Sequence, residues 1–371
     1  MTNETDLSFE DEDGVPKPAA TKPQPTRGGK AKKYVLSYDG KTSGLYKLYL
    51  LDFFMRIITI GIYSFWGKTR LRKYIWAHHS LAGDRFEYLG TGGELFKGFL
   101  KVLPILVILF APIIMAEVYP ILGLFYIPLI YCFGIAMYGA IRYRYSRTSW
   151  KGIRGYLDGS TIKYANLAFG RMLLNIVTLG FAIPSSDIAK HKYIMDNSYF
   201  GTQKAEFNGN AKILFGAYIK TMLMVGVLSA LIIGGIFMAS TSVGALNQEL
   251  IAIFITVGII ALALVFPIAR SIYAAALMRE KMRGLKIGHV KFMCTVTAGD
   301  LIKHRMANTL ILMITLGLGF PYIVQRNIRF YARHHIIMGD LAAFEAGQAK
   351  DHGLTSGEGL EAGFDIDAGF F

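Results

Sequence analysis

The feature that most constrains this chain is a threonine–X–glycine motif that recurs three times. It occurs as Thr59-Ile60-Gly61, Thr178-Leu179-Gly180 and Thr315-Leu316-Gly317. A shift of 119 residues relates the first copy to the second, and a shift of 137 relates the second to the third. Further residues obey the same shifts, among them Gly90 with Gly209 and Arg142 with Arg279. Regular spacing over so long a stretch predicts a fold built from duplicated units.

The composition indicates a membrane protein. Hydrophobic residues make up 53% of the 371 residues and the mean hydropathy is +0.38, which is too apolar for an ordinary soluble chain. The formal charge of +14 comes from Lys and Arg in short loops that flank apolar segments. Such loops contact anionic lipid headgroups, so we expect the bilayer as partner and no nucleic acid.

Four apolar runs are long enough to cross a bilayer as helices, at about 99–116, 121–141, 214–238 and 250–269. They form two hairpins whose turns, 117–120 and 239–249, contain no Lys or Arg. The segments 67–97, 142–171 and 270–305 are basic. The positive-inside rule therefore predicts a multi-pass protein whose hairpin turns face outward, with the basic segments and both tails in the cytoplasm.

The segments that carry the repeated motif conflict with this rule. The runs 45–66, 166–184 and 302–324 are apolar but have basic residues at both ends. In one solution they enter from the cytoplasm and return, or lie along the interface, with the motif breaking the helix, which gives four spans. In the other they cross fully, which gives seven spans and exports some basic loops.

The predicted fold is an all-α polytopic membrane protein. Each repeat consists of a partial or amphipathic helix followed by a transmembrane helical hairpin, with minor β structure on the cytoplasmic face. The boundaries are 34–141 for repeat 1, 142–269 for repeat 2 and 270–339 for a partial repeat 3 that stops before its hairpin. An acidic-then-basic tail at 1–33 and an acidic, glycine-rich tail at 340–371 are expected to be disordered.

Polar residues occur at matched positions of the repeated segments. These are Asp52, Arg171 and Asn308, and, four residues later, Arg56 and Asn175. Charged groups at membrane depth mark a bundle interior or a water-filled cavity, so one hypothesis is a polar pocket that binds an ion or small solute. The alternative is that Asp52 and Arg56 form an i,i+4 ion pair without a ligand.

Aromatic residues followed by cations come after the motif. Such a pattern is typical of an amphipathic helix at headgroup level. We interpret the residues as lipid-headgroup anchors: Trp66, Lys68, Arg70, Arg72, Lys73, Tyr74, Tyr322, Arg326 and Arg329. A phosphate-binding role for Arg70, Arg72 and Lys73 is the alternative.

Two histidine pairs, His78-His79 and His334-His335, are the features most suggestive of metal binding or catalysis. The matched positions of the second copy are Asn197 and Ser198, which are poor ligands, so we expect a structural role. We therefore predict no metal, cofactor or enzyme activity. The glycine-rich segment 83–94 lacks a P-loop ending and favours a turn or short hairpin, and 161–164 and 204–207 resemble short strands.

The sequences at 59–74, 83–92, 94–99 and 147–154 resemble the YjgN-like family of bacterial inner-membrane proteins. The resemblance covers roughly residues 36–340 and is most specific in the first copy. It implies a polytopic inner-membrane protein of unknown function and assigns no catalytic residue. From the repeats we predict a transporter or channel-like protein for a small solute or ion. The alternative is a scaffold or regulator that binds anionic lipid and protein partners.

Overall fold

The computed structural model describes residues 32–243 and 248–341 of the chain. Helices account for most of these residues. They are α1 (Thr42–Ile58), α2 (Ser64–Ala77), α3 (Gly92–Ile114), α4 (Tyr126–Arg147), α5 (Thr161–Val177), α6 (Ile183–Asp196), α7 (Lys212–Val243), α8 (Gln248–Ala269), α9 (Ser271–Arg283), α10 (Ala298–Ile314) and α11 (Phe320–His334). A short 3-10 helix, Pro120–Phe125, precedes α4.

Short strands lie between the helices. They are β1 (Lys33–Val35), β2 (Ser37–Tyr38), β3 (His79–Leu81), β4 (Asp84–Tyr88), β5 (Thr148–Trp150), β6 (Ile153–Leu157), β7 (Ser198–Phe200), β8 (Gln203–Phe207), β9 (Leu285–Ile287), β10 (Val290–Cys294) and β11 (His335–Met338). Over the described ranges these eleven strands form one antiparallel sheet in the order β1-β11-β10-β9-β8-β7-β6-β5-β4-β3-β2.

The sheet closes on itself. Its two end strands, β1 and β2, are separated along the chain by Leu36 alone. The two edge strands are therefore parts of one continuous segment. We call the eleven-stranded sheet the ring sheet. Its three sectors, as far as the chain is described, are β2–β5, β6–β9 and the shorter set β10, β11 and β1.

The prediction of an all-α polytopic fold with minor β structure is wrong, because the ring sheet is a principal part of the architecture. Its strands are two to five residues long, too short to show a clear alternation of apolar and polar residues. Strand signals at 83–94 and 204–207 do match β4 and β8. The strand expected at 161–164 is instead the first turn of α5, whose N-terminus is capped by Ser160.

Each threonine–X–glycine motif joins two packed helices: α1 to α2, α5 to α6, and α10 to α11. We call these pairs the motif hairpins. In the first, Thr59 Oγ1 donates to the Met55 carbonyl at 2.7 Å and accepts from the Tyr63 amide at 2.9 Å. Ile60 and Gly61 have φ of +50° and +85°, and the Gly61 amide bonds back to the Arg56 carbonyl. The other two turns have the same conformation.

Long apolar helices carry the predicted spans. Three helices in the described part of the chain are long and apolar enough to cross a membrane: Gly92–Ile114, Pro120–Arg147 and Lys212–Met238. They match the first three of the four predicted runs. The fourth run, 250–269, forms α8 but is not among the three, so the prediction of four spans is not met within these residues.

The main core lies where these helices meet the ring sheet. Tyr138 on α4, Tyr164 on α5 and Phe207 on β8 are fully buried together with Leu157 and Leu214. This core packs the helices against the strands of the ring sheet. The predicted tails 1–33 and 340–371 fall almost entirely outside the described residues, although Lys33 begins β1.

Candidate ligand-binding cavity

The ring sheet surrounds a partly open cavity of about 370 Å³. Side chains from all three sectors line it, and helix residues Trp76, Tyr145, Met195 and Met282 cover one part. A volume in this range is typical of sites for small molecules. The cavity is therefore a candidate site for a small apolar molecule.

The lining repeats at the spacing found in the sequence. Shifts of 119 and 137 residues relate Leu81 to Phe200 and then to Ile337, and all three line the cavity. The remaining sets are Leu36, Gly155 and Phe292; His79, Ser198 and His335; and the pairs Trp76–Met195, Phe86–Ala205, Tyr145–Met282, Thr148–Leu285, Trp150–Ile287 and Tyr199–Ile336. Matched side chains thus meet around one central space.

Each histidine pair lies at the junction between a helix and a strand of the ring sheet, α2 with β3 and α11 with β11. The Nδ1 atom of each of the four rings is 2.7–2.8 Å from the carbonyl oxygen four residues earlier. Asn197 Nδ2 and Ser198 Oγ make the same contact in the second copy, at 2.6 and 2.7 Å. A carbonyl only accepts, so Nδ1 carries the proton and Nε2 is an acceptor in the neutral ring.

The cavity lining carries no fixed charge. Burial lowers the pKa of His79 and of His335 below the ordinary value, so both rings are neutral at pH 7. No Lys, Arg, Asp or Glu of the described chain lines the cavity. An ion would be poorly solvated there, whereas a neutral apolar molecule would be favoured.

Two tryptophans line the cavity and differ in their hydrogen bonds. Trp76 Nε1 donates to Thr148 Oγ1 at 3.1 Å. Trp150 is 6% exposed, and its Nε1 has no hydrogen-bond partner within the residues that the structure describes. A buried donor without a partner costs about 1–3 kcal/mol, so the N–H of Trp150 needs an explanation.

The predicted polar pocket residues lie in the motif hairpins. Arg56 forms an ion pair with Asp52 at 2.6 Å, and the Asp52 carboxylate packs against Gly67 of α2, where a Cβ atom would clash with it. Within the described chain, Asp52 Oδ1 is buried without a hydrogen-bond partner. The ion pair that the sequence suggests is therefore present in α1.

The other pocket residues bond across their own hairpins. Arg171 Nη1 donates to Ser185 Oγ at 3.0 Å, and Asn175 Oδ1 accepts from Ser186 Oγ at 2.8 Å. Asn308 Nδ2 donates to Asn327 Oδ1 at 2.8 Å. The structure thus holds the five predicted residues in three separate hairpins, and their convergence on one ligand stays a prediction.

The predicted headgroup anchors lie on two helices, Trp66 to Tyr74 on α2 and Tyr322 to Arg329 on α11. Trp66, Arg70, Lys73, Tyr322 and Arg329 are exposed, while Lys68, Arg72, Tyr74 and Arg326 are partly buried. Several also bond to the protein. Arg72 Nη1 donates to the Tyr88 hydroxyl, Tyr74 to the Lys41 carbonyl and Arg329 to the Gly40 carbonyl.

Sequence reasoning singled out His79 and His335, to which it gave a structural role, but it assigned no cavity to the other residues that line it. Trp150 and Leu36 were not singled out as site residues, because their segments show no clear strand pattern. Phe86 lies in 83–94, where a strand signal was recognised but gave no indication of a cavity. The signal was available in the repeat. The shift that relates the threonine–X–glycine motifs also relates Leu81 to Phe200, and both precede a glycine-containing turn.

Comparison with known proteins agrees with the resemblance found in the sequence. Residues 33–362 match the family described as bacterial protein of unknown function, DUF898. The chain is also 22% identical over 360 residues to the inner membrane protein YjgN of Salmonella typhimurium, covering 84% of this chain and 90% of that protein. No solved structure matches. With the family model matched over most of its length, this chain belongs to the DUF898 family of YjgN-like bacterial proteins.

Proposed function

We propose that the protein binds an apolar molecule, taken from the surrounding membrane, inside the ring sheet. The observation that carries this proposal is the uncharged cavity, to which side chains of all three sectors contribute. Transfer of apolar surface from water into such a space is favourable by about 25 cal/mol per Å². Binding rather than catalysis is proposed because the lining offers apolar side chains and neutral hydrogen-bonding groups.

The proposed location is the inner membrane, which is where the relative YjgN is named to reside. We propose a multi-pass arrangement in which two hairpins, α3 with α4 and α7 with α8, cross the membrane, so that the basic segments and both tails lie in the cytoplasm. Three of these four helices are long and apolar enough to span by themselves. The tips of the motif hairpins add to this. Ile60, Leu179 and Leu316 are 93%, 86% and 91% exposed, which suits contact with lipid and not with water.

The motif hairpins are proposed to enter one leaflet. Exposed apolar residues extend from Leu50 on α1 to Ile60 in the motif turn, a distance of up to about 15 Å at the helical rise per residue. The hydrocarbon core is about 30 Å thick, so the tips would reach its middle. This geometry supports the solution in which the repeated segments enter and return.

Thiol labelling tests this arrangement. Single cysteines are placed at 60, 90, 118, 179 and 316 in a chain that lacks Cys132 and Cys294. We expect an impermeant reagent to label position 90 from the cytoplasm and position 118 from outside, and to leave the three tips unlabelled from either side. Labelling of the tips from outside would overturn the one-leaflet arrangement.

The cavity itself is tested by filling it. Ala205 is fully buried and lines the cavity at the position matched by Phe86. We expect wild-type protein purified in mild detergent to retain an apolar molecule detectable by mass spectrometry, and Ala205→Phe to lose it. Glu206→Gln, on the exposed side of β8, is the control. Equal retention in a folded Ala205→Phe variant, or none in wild type, would refute the proposal.

Transport of a small solute or ion is the second candidate function. It is favoured by the buried acceptors Asp52 Oδ1 and Asn308 Oδ1, which have no hydrogen-bond partner within the described residues. Exchanging the charges, Asp52→Arg with Arg56→Asp, separates a structural pair from a transport path. Restored folding with a lost flux supports transport. Restored folding with an unchanged flux assigns the pair to structure.

A scaffold or regulator role is the alternative, and it is proposed from exposed cations on α2 and α11. The exposed cations Arg70, Lys73 and Arg329 are proposed to bind anionic headgroups.

We also propose that the three motif hairpins arose by duplication, since their turn geometry and the lining of the cavity follow the same two shifts.

A further inference from the structure

We propose that the cavity selects a neutral lipid whose head carries a hydrogen-bond acceptor, and that Trp150 Nε1 donates to this acceptor. The inference rests on the proposed binding function and adds the chemical class of the ligand. Isoprenoid quinones and neutral acyl esters, such as monoacylglycerols, share this chemistry.

The position of Trp150 limits what its N–H can reach. The indole lies against Phe86 with ring centroids 6.2 Å apart and against Phe200 at 6.0 Å, so aromatic rings cover it from two directions. Phe86 and Phe200 both line the cavity. Lys151 Nζ lies 5.0 Å from the Trp150 ring and forms an ion pair with Asp84 at 3.0 Å. These neighbours fix the ring but supply no acceptor to Nε1.

Trp76 shows that an indole N–H without an acceptor is not a general property of the lining. Its N–H reaches Thr148 Oγ1, and Thr148 in turn donates to the Arg144 carbonyl. The protein thus supplies an acceptor to one indole of the cavity and leaves the other open. A ligand oxygen would satisfy Trp150 and remove the cost of a buried unpaired donor.

The surroundings exclude a charged head deep in the cavity. Among the described residues, the lining has no Lys or Arg to pair with a carboxylate or phosphate, and the lowered pKa of His335 keeps that ring neutral. Burial of an unpaired ion costs much more than burial of a carbonyl group. A carbonyl-type oxygen on an apolar molecule meets both requirements.

Binding of defined probes to the delipidated full-length chain tests the proposal. The probes are a decyl-substituted benzoquinone, a monoacylglycerol and dodecane, which has no acceptor. We expect Trp150→Phe, which keeps the aromatic ring but removes the donor, to weaken binding of an acceptor-headed probe about five- to tenfold. Dodecane should bind both proteins equally, and Glu206→Gln, on the exposed side of β8 and outside the lining, should leave all three affinities within about twofold.

The pattern of affinity losses distinguishes the ligand source, the role of Trp150 and the function of the cavity. A loss for both acceptor-headed probes supports the shared chemistry, and a loss for only one identifies the source of the ligand. If Ala205→Phe abolishes binding while Trp150→Phe has no effect, the role of Trp150 is refuted and the cavity function stands. If no probe binds wild type, the cavity function itself fails.

A spectroscopic measurement covers the case in which Trp150→Phe does not fold. The chain has three tryptophans, so an indole ¹⁵N–¹H spectrum of the wild type contains few signals. We expect the decyl benzoquinone to shift the Trp150 indole signal downfield and to leave that of Trp76 in place. An unmoved Trp150 signal at saturating probe would overturn the proposal.

Discussion

The second helix of each motif hairpin ends in two adjacent polar side chains that bond to the carbonyls four residues earlier. Histidines do so after α2 and α11, whereas Asn197 and Ser198 do so after α6. Residues as different as histidine and serine satisfy the same carbonyl, so the position requires a donor and not an imidazole. The pairs therefore need no metal to explain them.

Ser198 provides the cleanest test of this requirement. Its Oγ donates to the buried Ile194 carbonyl and is also hydrogen-bonded to the Tyr145 side chain, so serine to alanine removes both contacts. We expect Ser198→Ala to lower the free energy of unfolding by about 1 kcal/mol. Ser198→Thr keeps the hydroxyl and serves as the control. Thermal unfolding in detergent measures both, and equal losses in the two variants would contradict the explanation.

His191 predicts a dependence of stability on pH. Burial, followed by the charge of Lys281, lowers the pKa of His191 to about 3, against an ordinary value of 6.5. The unfolded chain therefore binds a proton at a higher pH than the folded chain does. The free energy of unfolding falls as the pH drops from 6.5 towards 3.

Substitution of His191 isolates this contribution from those of other groups. Lys281 on α9 acts on it directly, and Lys190 and Asp187 on α6 act on Lys281. We expect the Tm of His191→Gln to fall less between pH 7 and pH 4 than that of the wild type. Parallel curves for the two proteins would show that His191 does not titrate in this way.

At the scale of elements, the motif hairpin depends on its glycine. Gly61 has φ of +85° and open space around its Cβ position, so a side chain there meets conformational strain and no clash. We expect Gly61→Ala to lower the free energy of unfolding by about 1 kcal/mol. Gly170, inside α5 and also unobstructed, is the control, and Gly170→Ala should be neutral or stabilising. A similar loss at both positions would refute the argument.

Sequence patterns predicted the helices better than the sheet. The motif turns at Thr59 and Thr178 and the apolar helices could be predicted because their signals are local: a helix breaker between two apolar runs, and long continuous hydrophobicity. The ring sheet could not, since a strand such as His79–Leu81 is three residues long and pairs across the chain. The cavity depends on that pairing, and so Trp150 was missed.

At the scale of the whole molecule, closure of the ring is the property to verify. Ser37 on β2 lies opposite Ser80 on β3 with their Oγ atoms 2.6 Å apart, and Val35 on β1 lies opposite Ile336 on β11. In a chain without Cys132 and Cys294, we expect both pairs to form disulfides when replaced by cysteine. Ser37→Cys with Lys204→Cys, in another sector, is the control.

Peptide mapping after oxidation identifies the cross-links. If the cysteine pairs 37–80 and 35–336 both cross-link and the control pair does not, the segment 33–38 joins the two edges of the sheet. A link on one side alone would mean that the ring is open at the other.

The junction at Leu36 also determines when the fold can be completed. A ribosome releases β1 first and β11 last, since they lie at the two ends of the described chain. The segment 33–38 therefore emerges early with an edge that has no partner until His335–Met338 has been made. Unpaired edges are prone to wrong pairing, and contacts between distant residues form slowly. The last strand to be translated thus completes the wall around the cavity, and a nascent chain cannot hold a ligand there before translation reaches it.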